Sequence, residues 1–146
     1  MPIVNMKKKH QTGFTLIEVM ISVFVLAVGL LGLAGLQMAG LKSNHSAQLR
    51  TQAIVQTYDI IDRMRINKLV AKAGDYDVAL GEVVVATAAI KDIDRVAWKA
   101  ALLADLPNGD GSIDTVSDVV TVSVQWDDSR GFNGSSTQTF SISTEL

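Results

Sequence analysis

The chain contains no cysteine, which excludes disulfides, thiolate metal sites and cysteine nucleophiles, and leaves redox chemistry silent about its compartment. Histidine is scarce too: His10 and His45 are the only two, so imidazole-based catalysis and metal binding have little to draw on. Proline occurs only at Pro2 and Pro107, so none interrupts residues 3–106. Basic residues are in slight deficit, with a formal charge of −2 over 146 residues. Broad nucleic-acid binding normally shows a basic footprint, so no nucleic-acid partner is expected. Aromatic residues make up only 5%, and Trp98 and Trp126 are read as core residues, not as stacking platforms for bases.

What is abundant is apolar side chain, 48% of the whole, concentrated near the front in "KKKHQTGFTLIEVMISVFVLAVGLLGLAGLQ", residues 7–37. From Val19 to Leu36 no residue is charged and only Ser22 is polar. As a helix that run spans roughly 27 Å, close to the hydrocarbon thickness of a bilayer. Lys7, Lys8 and Lys9 precede it and, by the positive-inside rule, stay cytoplasmic while the body behind the run is exported. About 100 residues then remain for one small domain. Three readings compete for the front segment. A secretory signal peptide would be cut after Gly32-Leu33-Ala34, and a plain anchor would stay in place. Neither explains Glu18, because a carboxylate inside the membrane costs about 2.5–3.5 kcal/mol.

The third reading rests on "GFTLIEV", Gly13 to Val19, which resembles the cleavage signature of type IV prepilins and the related pseudopilins. The resemblance implies removal of a basic leader, residues 1–13, by a prepilin peptidase between Gly13 and Phe14, with methylation of the new N-terminus at Phe14. Glu18 becomes the fifth mature residue, and its charge pairs with the α-amine of Phe14, its own or a neighbour's, setting axial register during assembly. The family's architecture is then expected: an α+β, pilin-like fold with a long N-terminal helix packed on a small antiparallel sheet, plus one extra short helix. Residues 14–41 form the transmembrane and assembly half of that helix, and residues 42–146 a periplasmic head into which the helix continues to about residue 65. The implied location is the inner membrane, single-pass with a cytoplasmic N-terminus, followed by the pilus or cell surface. Implied partners are the lipid bilayer before assembly, the inner-membrane assembly platform and other pilins; no cofactor and no metal are implied.

Glycines 29, 32, 35 and 40 lie inside the apolar run, where each weakens a helix by about 1 kcal/mol relative to alanine. Small residues also allow close helix approach. Many major pilins carry proline at the position of Gly35, so Gly29, Gly32 and Gly35 are candidates for close packing or local unwinding in a fibre. Past Leu41 the chain turns amphipathic: Ala47, Ile54 and Ile61 recur at seven, with Tyr58 and Met64 on adjoining turns. Asp59–Arg63 and Asp62–Arg65 are acid-first helix pairs on a solvated face.

In the body, "DIDRVAWKAALLADLP" predicts a helix with Asp92 as N-cap, Ile93, Val96, Ala100 and Leu103 facing inward, and Pro107 as its end. "NGDG", residues 108–111, predicts a turn. "DVVTVSVQWDD" alternates strictly and predicts a half-buried strand, and "TQTFSISTEL" a partner strand with Phe140 and Ile142 inward. Residues 82–87 read either as a strand or as a loop that packs its valines.

"VGLLGLAGLQ", "DRMRIN", "LPNGDGSI" and "VSVQWDD" together resemble the minor pilins of type IV pili. That implies a complex with other minor pilins, the major pilin and a tip adhesin that primes pilus growth. A minor pseudopilin of a type II secretion tip complex needs the same anchor and sheet, so the two readings stay open. A DNA-uptake pilin is the binding-module alternative, disfavoured by the acidic body. No Ser/His/Asp grouping can be built from the mature chain except around His45, so an enzyme is not expected. Asp105, Asn108, Asp110 and Asp114 are the candidate cation ligands, although an EF-hand loop requires an acid where Leu106 stands.

Overall fold

A computed structural model describes residues 13–146. The leader lysines Lys7, Lys8 and Lys9, and His10 with them, lie outside the described residues. The elements are α1 (Leu16–Ile66), α2 (Lys68–Lys72), α3 (Ile90–Asp105), β1 (Asp110–Val116), β2 (Val119–Trp126) and β3 (Gln138–Glu145). The chain divides into two compact units between Met38 and Ala39.

In the first unit every residue from Gly13 to Met38 is exposed, so this part of α1 builds no core of its own. Its backbone is satisfied locally, as it must be in hydrocarbon, where no water replaces a missing hydrogen bond. The helix is long and apolar enough to cross a membrane.

The second unit holds the core. Its share of α1 buries Leu49, Ala53, Thr57, Ile60, Ile61 and Met64, spaced at three and four. The seven-residue spacing is therefore only partly right: Ile61 and Met64 are inside, whereas Ala47 is exposed and Tyr58 is half exposed. Thr57 is tolerated in the core because its hydroxyl donates to the Ala53 carbonyl at 2.8 Å. The rest of the core comes from Ala71, Tyr76, Val78, Trp98, Leu102, Leu106, Ile113, Val120, Val122, Val124, Trp126 and Leu146.

The sheet is an antiparallel meander in the order β1-β2-β3. Strand β2 alternates as its sequence predicts, with Val120, Val122, Val124 and Trp126 buried. Strand β1 is an addition to the expected pair: Asp110 and Gly111 open a strand instead of completing a turn. The turn signal is displaced to Asn108, whose φ is positive. Gly111 is required where α3 packs on β1, because a Cβ there would strike the Trp98 ring and Leu102. Residues 82–87 form no strand, and of their valines Val84 packs against the core while Val83 and Val85 are exposed.

Helix α3 forms where expected, but two details differ. Its N-cap is Ala89, and Asp92 stands inside the first turn, nearly buried, accepting from the Thr87 hydroxyl and from Arg95. The inward face is Asp94, Trp98 and Leu102, whereas Ile93, Ala100 and Leu103 face solvent and Val96 is only half-buried. The indole decides the rotation. Trp98 is almost fully buried and its Nε1 donates to the Gln56 carbonyl at 3.0 Å, a contact 42 residues apart in sequence.

Candidate processing and assembly site

Residues 13–15 have no regular structure, and α1 begins at Leu16. Thr15 accounts for that start. Its hydroxyl oxygen accepts the Glu18 N–H at 3.4 Å, and its carbonyl accepts from Glu18 at 3.1 Å and Val19 at 3.3 Å. Thr15 is thus the N-cap and Glu18 the third helical residue, the spacing of a capping box. The signal, threonine followed three places on by glutamate, is present in the sequence inside the same heptapeptide that carries the cleavage signature. Phe14 is exposed, so the Gly13–Phe14 peptide lies in non-helical chain beside an unburied aromatic ring. A Cβ at Gly13 would meet nothing within 4 Å, so the fold itself does not demand glycine there.

Glu18 is exposed and lies in the first turn of α1, where unpaired amides and the helix dipole favour an anion. The Ser22 hydroxyl donates to the Glu18 main-chain carbonyl at 2.8 Å, which leaves the carboxylate free of that partner. Downstream, a Cβ at Gly29, Gly32, Gly35 or Gly40 would also meet nothing within 4 Å. The helix is regular through all four, so no contact inside the subunit explains them.

The head shows no comparable chemistry. His45 is exposed on α1. Among the described residues no group of three acidic or histidine side chains is placed to hold a metal ion. Of the four candidate cation ligands Asn108 is exposed in the turn before β1, and the three acids form no group. Asp105 accepts from Gln56 Nε2 at 2.6 Å, Asp110 pairs with Lys99 at 2.5 Å and accepts the Gly81 N–H, and Asp114 is exposed on β1. Burial pushes the Asp110 carboxyl up, but Lys99 and the backbone amides of Gly81 and Gly111 outweigh it and hold the pKa below the ordinary range. Another polar cluster in the head is a clamp: Tyr76, fully buried, donates to Asp94 at 2.8 Å, and Arg63 reaches the same carboxylate at 3.2 Å. Burial and the Asp94 charge raise the tyrosine's pKa, although the Asn67 hydrogen bond opposes them. This ties the end of α1 to α3 and is structural.

Residues 8–34 match the family model described as the prokaryotic N-terminal methylation motif. No curated protein and no solved structure matches the chain. The chain therefore carries a type IV prepilin-like methylation motif at the start of an apolar helix long enough to cross a membrane, and a motif of this kind implies processing by prepilin peptidase.

Proposed function

We propose that a chain bearing this methylation motif at its membrane end serves as a minor pilin of a type IV pilus, similar to the minor pilin PilV. The peptidase cuts between Gly13 and Phe14, guided by Lys7, Lys8 and Lys9 on the cytoplasmic side, and Phe14 is methylated. The head crosses to the periplasm and the apolar helix waits in the inner membrane. Glu18 then pairs with a Phe14 amine, an exchange that offsets the cost of a carboxylate in lipid. Gly29, Gly32 and Gly35 give neighbouring helices room to approach or to unwind. With other minor pilins the subunit primes assembly and sits beneath a tip adhesin, ahead of the major pilin.

The observation that carries this reading is the match over residues 8–34, together with a helix α1 whose apolar side chains are all exposed from Leu16 to Met38. The test is mass spectrometry of fibres sheared from the native host, compared with the envelope. A peptide beginning at methylated Phe14 in the sheared fraction is expected. The same peptide confined to the envelope would transfer the subunit to a type II secretion tip complex, and a peptide beginning at Gly35 would overturn prepilin processing.

A further inference from the structure

Two sets of hydrogen bonds settle which backbone groups of β3 are free. Val78 and Ile113 exchange bonds of 3.0 and 2.9 Å, so the polar groups of Ile113 point away from β2. Hydrogen-bonded pairs alternate along an antiparallel ladder. Val122, the partner of Ile113, must therefore bond to Ile142 on its other side. The Leu146 N–H donates to the Asp118 carbonyl at 3.3 Å, which gives the same phase from the far end. Phe140, Ile142 and Thr144 thus bond inward to β2, while Thr139, Ser141, Ser143 and Glu145 direct N–H and C=O groups out of the sheet.

The two edges of the sheet are treated differently. The outer edge of β1 is closed at its centre by the Val78 bridge. Among the described residues no strand pairs with the outer edge of β3, and its four outward residues make no further backbone hydrogen bond. Soluble proteins guard such edges with lysine, proline, bulges or cover. Strand β3 has no lysine, no proline and an unbroken register, and its outward side chains are short hydroxyls apart from Glu145. On the inner face Phe140 and Ile142 pack against the core and are only partly buried.

Charge selects among possible occupants. The three strands carry Asp110, Asp114 and Glu145 and no basic residue. A second copy would bring another β3 to this edge, which carries Glu145 and no basic residue and so offers that carboxylate no partner. We propose that the open edge of β3 accepts an extended strand from a different subunit of the assembly. That strand alternates apolar and polar residues, covers Phe140 and Ile142 with its apolar side, and presents a lysine or arginine to Glu145.

This proposal rests on the assembly role proposed above, and amide hydrogen exchange on the full chain separates the two. In detergent the Ser141 and Ser143 amides are expected to exchange fast and those of Phe140 and Ile142 slowly. In the assembly recovered from the envelope, Ser141 and Ser143 should slow at least tenfold. Unchanged fast exchange there would overturn the edge proposal and leave the assembly role standing, whereas absence of the chain from any assembly would overturn both. Protection in the isolated chain that grows with concentration would hand the edge to a second copy and overturn the different-subunit occupant. Ser141→Pro removes the outward N–H and an exposed hydroxyl contact with Ser123 but no backbone bond to β2, so it should be processed and stay folded yet enter the assembly at least fivefold less. If that variant misfolds, the paired Ser141→Lys and Ser143→Lys guards make the same test, and normal incorporation of a folded variant would overturn the proposal.

Discussion

Glu18 is favoured by one environment and penalised by another. The first turn of α1 welcomes an anion, whereas the bilayer charges it about 2.5–3.5 kcal/mol unless an opposite charge is close. Glu18→Ala should therefore be cleaved at the normal rate but co-purify with its partner subunits on the order of tenfold less, a loss of about 1.4 kcal/mol. Normal co-purification and piliation would remove the pairing role. Gly13 gives the converse case, because a side chain there meets nothing in the subunit. Gly13→Val should leave the urea midpoint of the head unchanged while uncleaved precursor accumulates on immunoblots. In the head, Asp110 has a folded pKa below its unfolded one, so its stabilisation is present above the unfolded value near 4 and disappears as pH falls through the lowered folded value. The urea midpoint should stay flat from pH 7 to about 5 and drop below pH 4, and Asp110→Asn should lessen that drop. Asp92 shares this behaviour, held down by the Thr87 hydroxyl and Arg95, so the drop lessens without vanishing.

At the scale of elements, α3 shows how far periodicity goes and where it stops. The helix is apolar on two faces, one through Ile93, Val96, Ala100 and Leu103 and one through Trp98 and Leu102. A period of 3.6 fits both, so pattern alone picks the face with more aliphatic residues. The fold picks the other, because burying one indole and bonding its N–H to the Gln56 carbonyl outweighs several smaller side chains. Leu102→Ala should cost about 2–5 kcal/mol in urea unfolding, and Leu103→Ala, at a side chain 71% exposed, no more than about 0.5. Equal costs would mean the helix is turned the other way. Strand β2 was legible because its buried and half-exposed positions alternate without exception from Val120 to Trp126. Strand β1 was not, since its first residues are also turn formers and its Asp110 needs Lys99, from another element, to sit at a strand end.

Across the molecule the two units divide the work. Among the described residues every buried one belongs to the second unit, and those of the first are all exposed and mostly apolar. Changes in the anchor should therefore leave the head's stability alone. Replacing Gly29, Gly32 and Gly35 together by alanine should keep the unfolding midpoint, followed through Trp98 and Trp126, within about 0.5 kcal/mol. The same protein should enter the assembly several-fold less, measured by its share in sheared fibres. A shifted midpoint would show that the anchor supports the head after all.

The sequence by itself determined the anchor, the methylation motif, the absence of disulfides and the α+β class. Those properties are local: an uncharged run, a heptapeptide, a missing residue type and an alternating strand need no distant partner to be recognised. Only the tertiary structure decided which face of α3 is inside, that Asp110 opens a strand held by Lys99, and that β3 ends the sheet with its hydrogen-bonding groups turned outward. Each of these depends on which residues far apart in the chain meet: Trp98 with Gln56, Asp110 with Lys99, Val78 with Ile113. One-dimensional pattern lists the surfaces able to be buried, and the competition between them for a single small core selects which ones are.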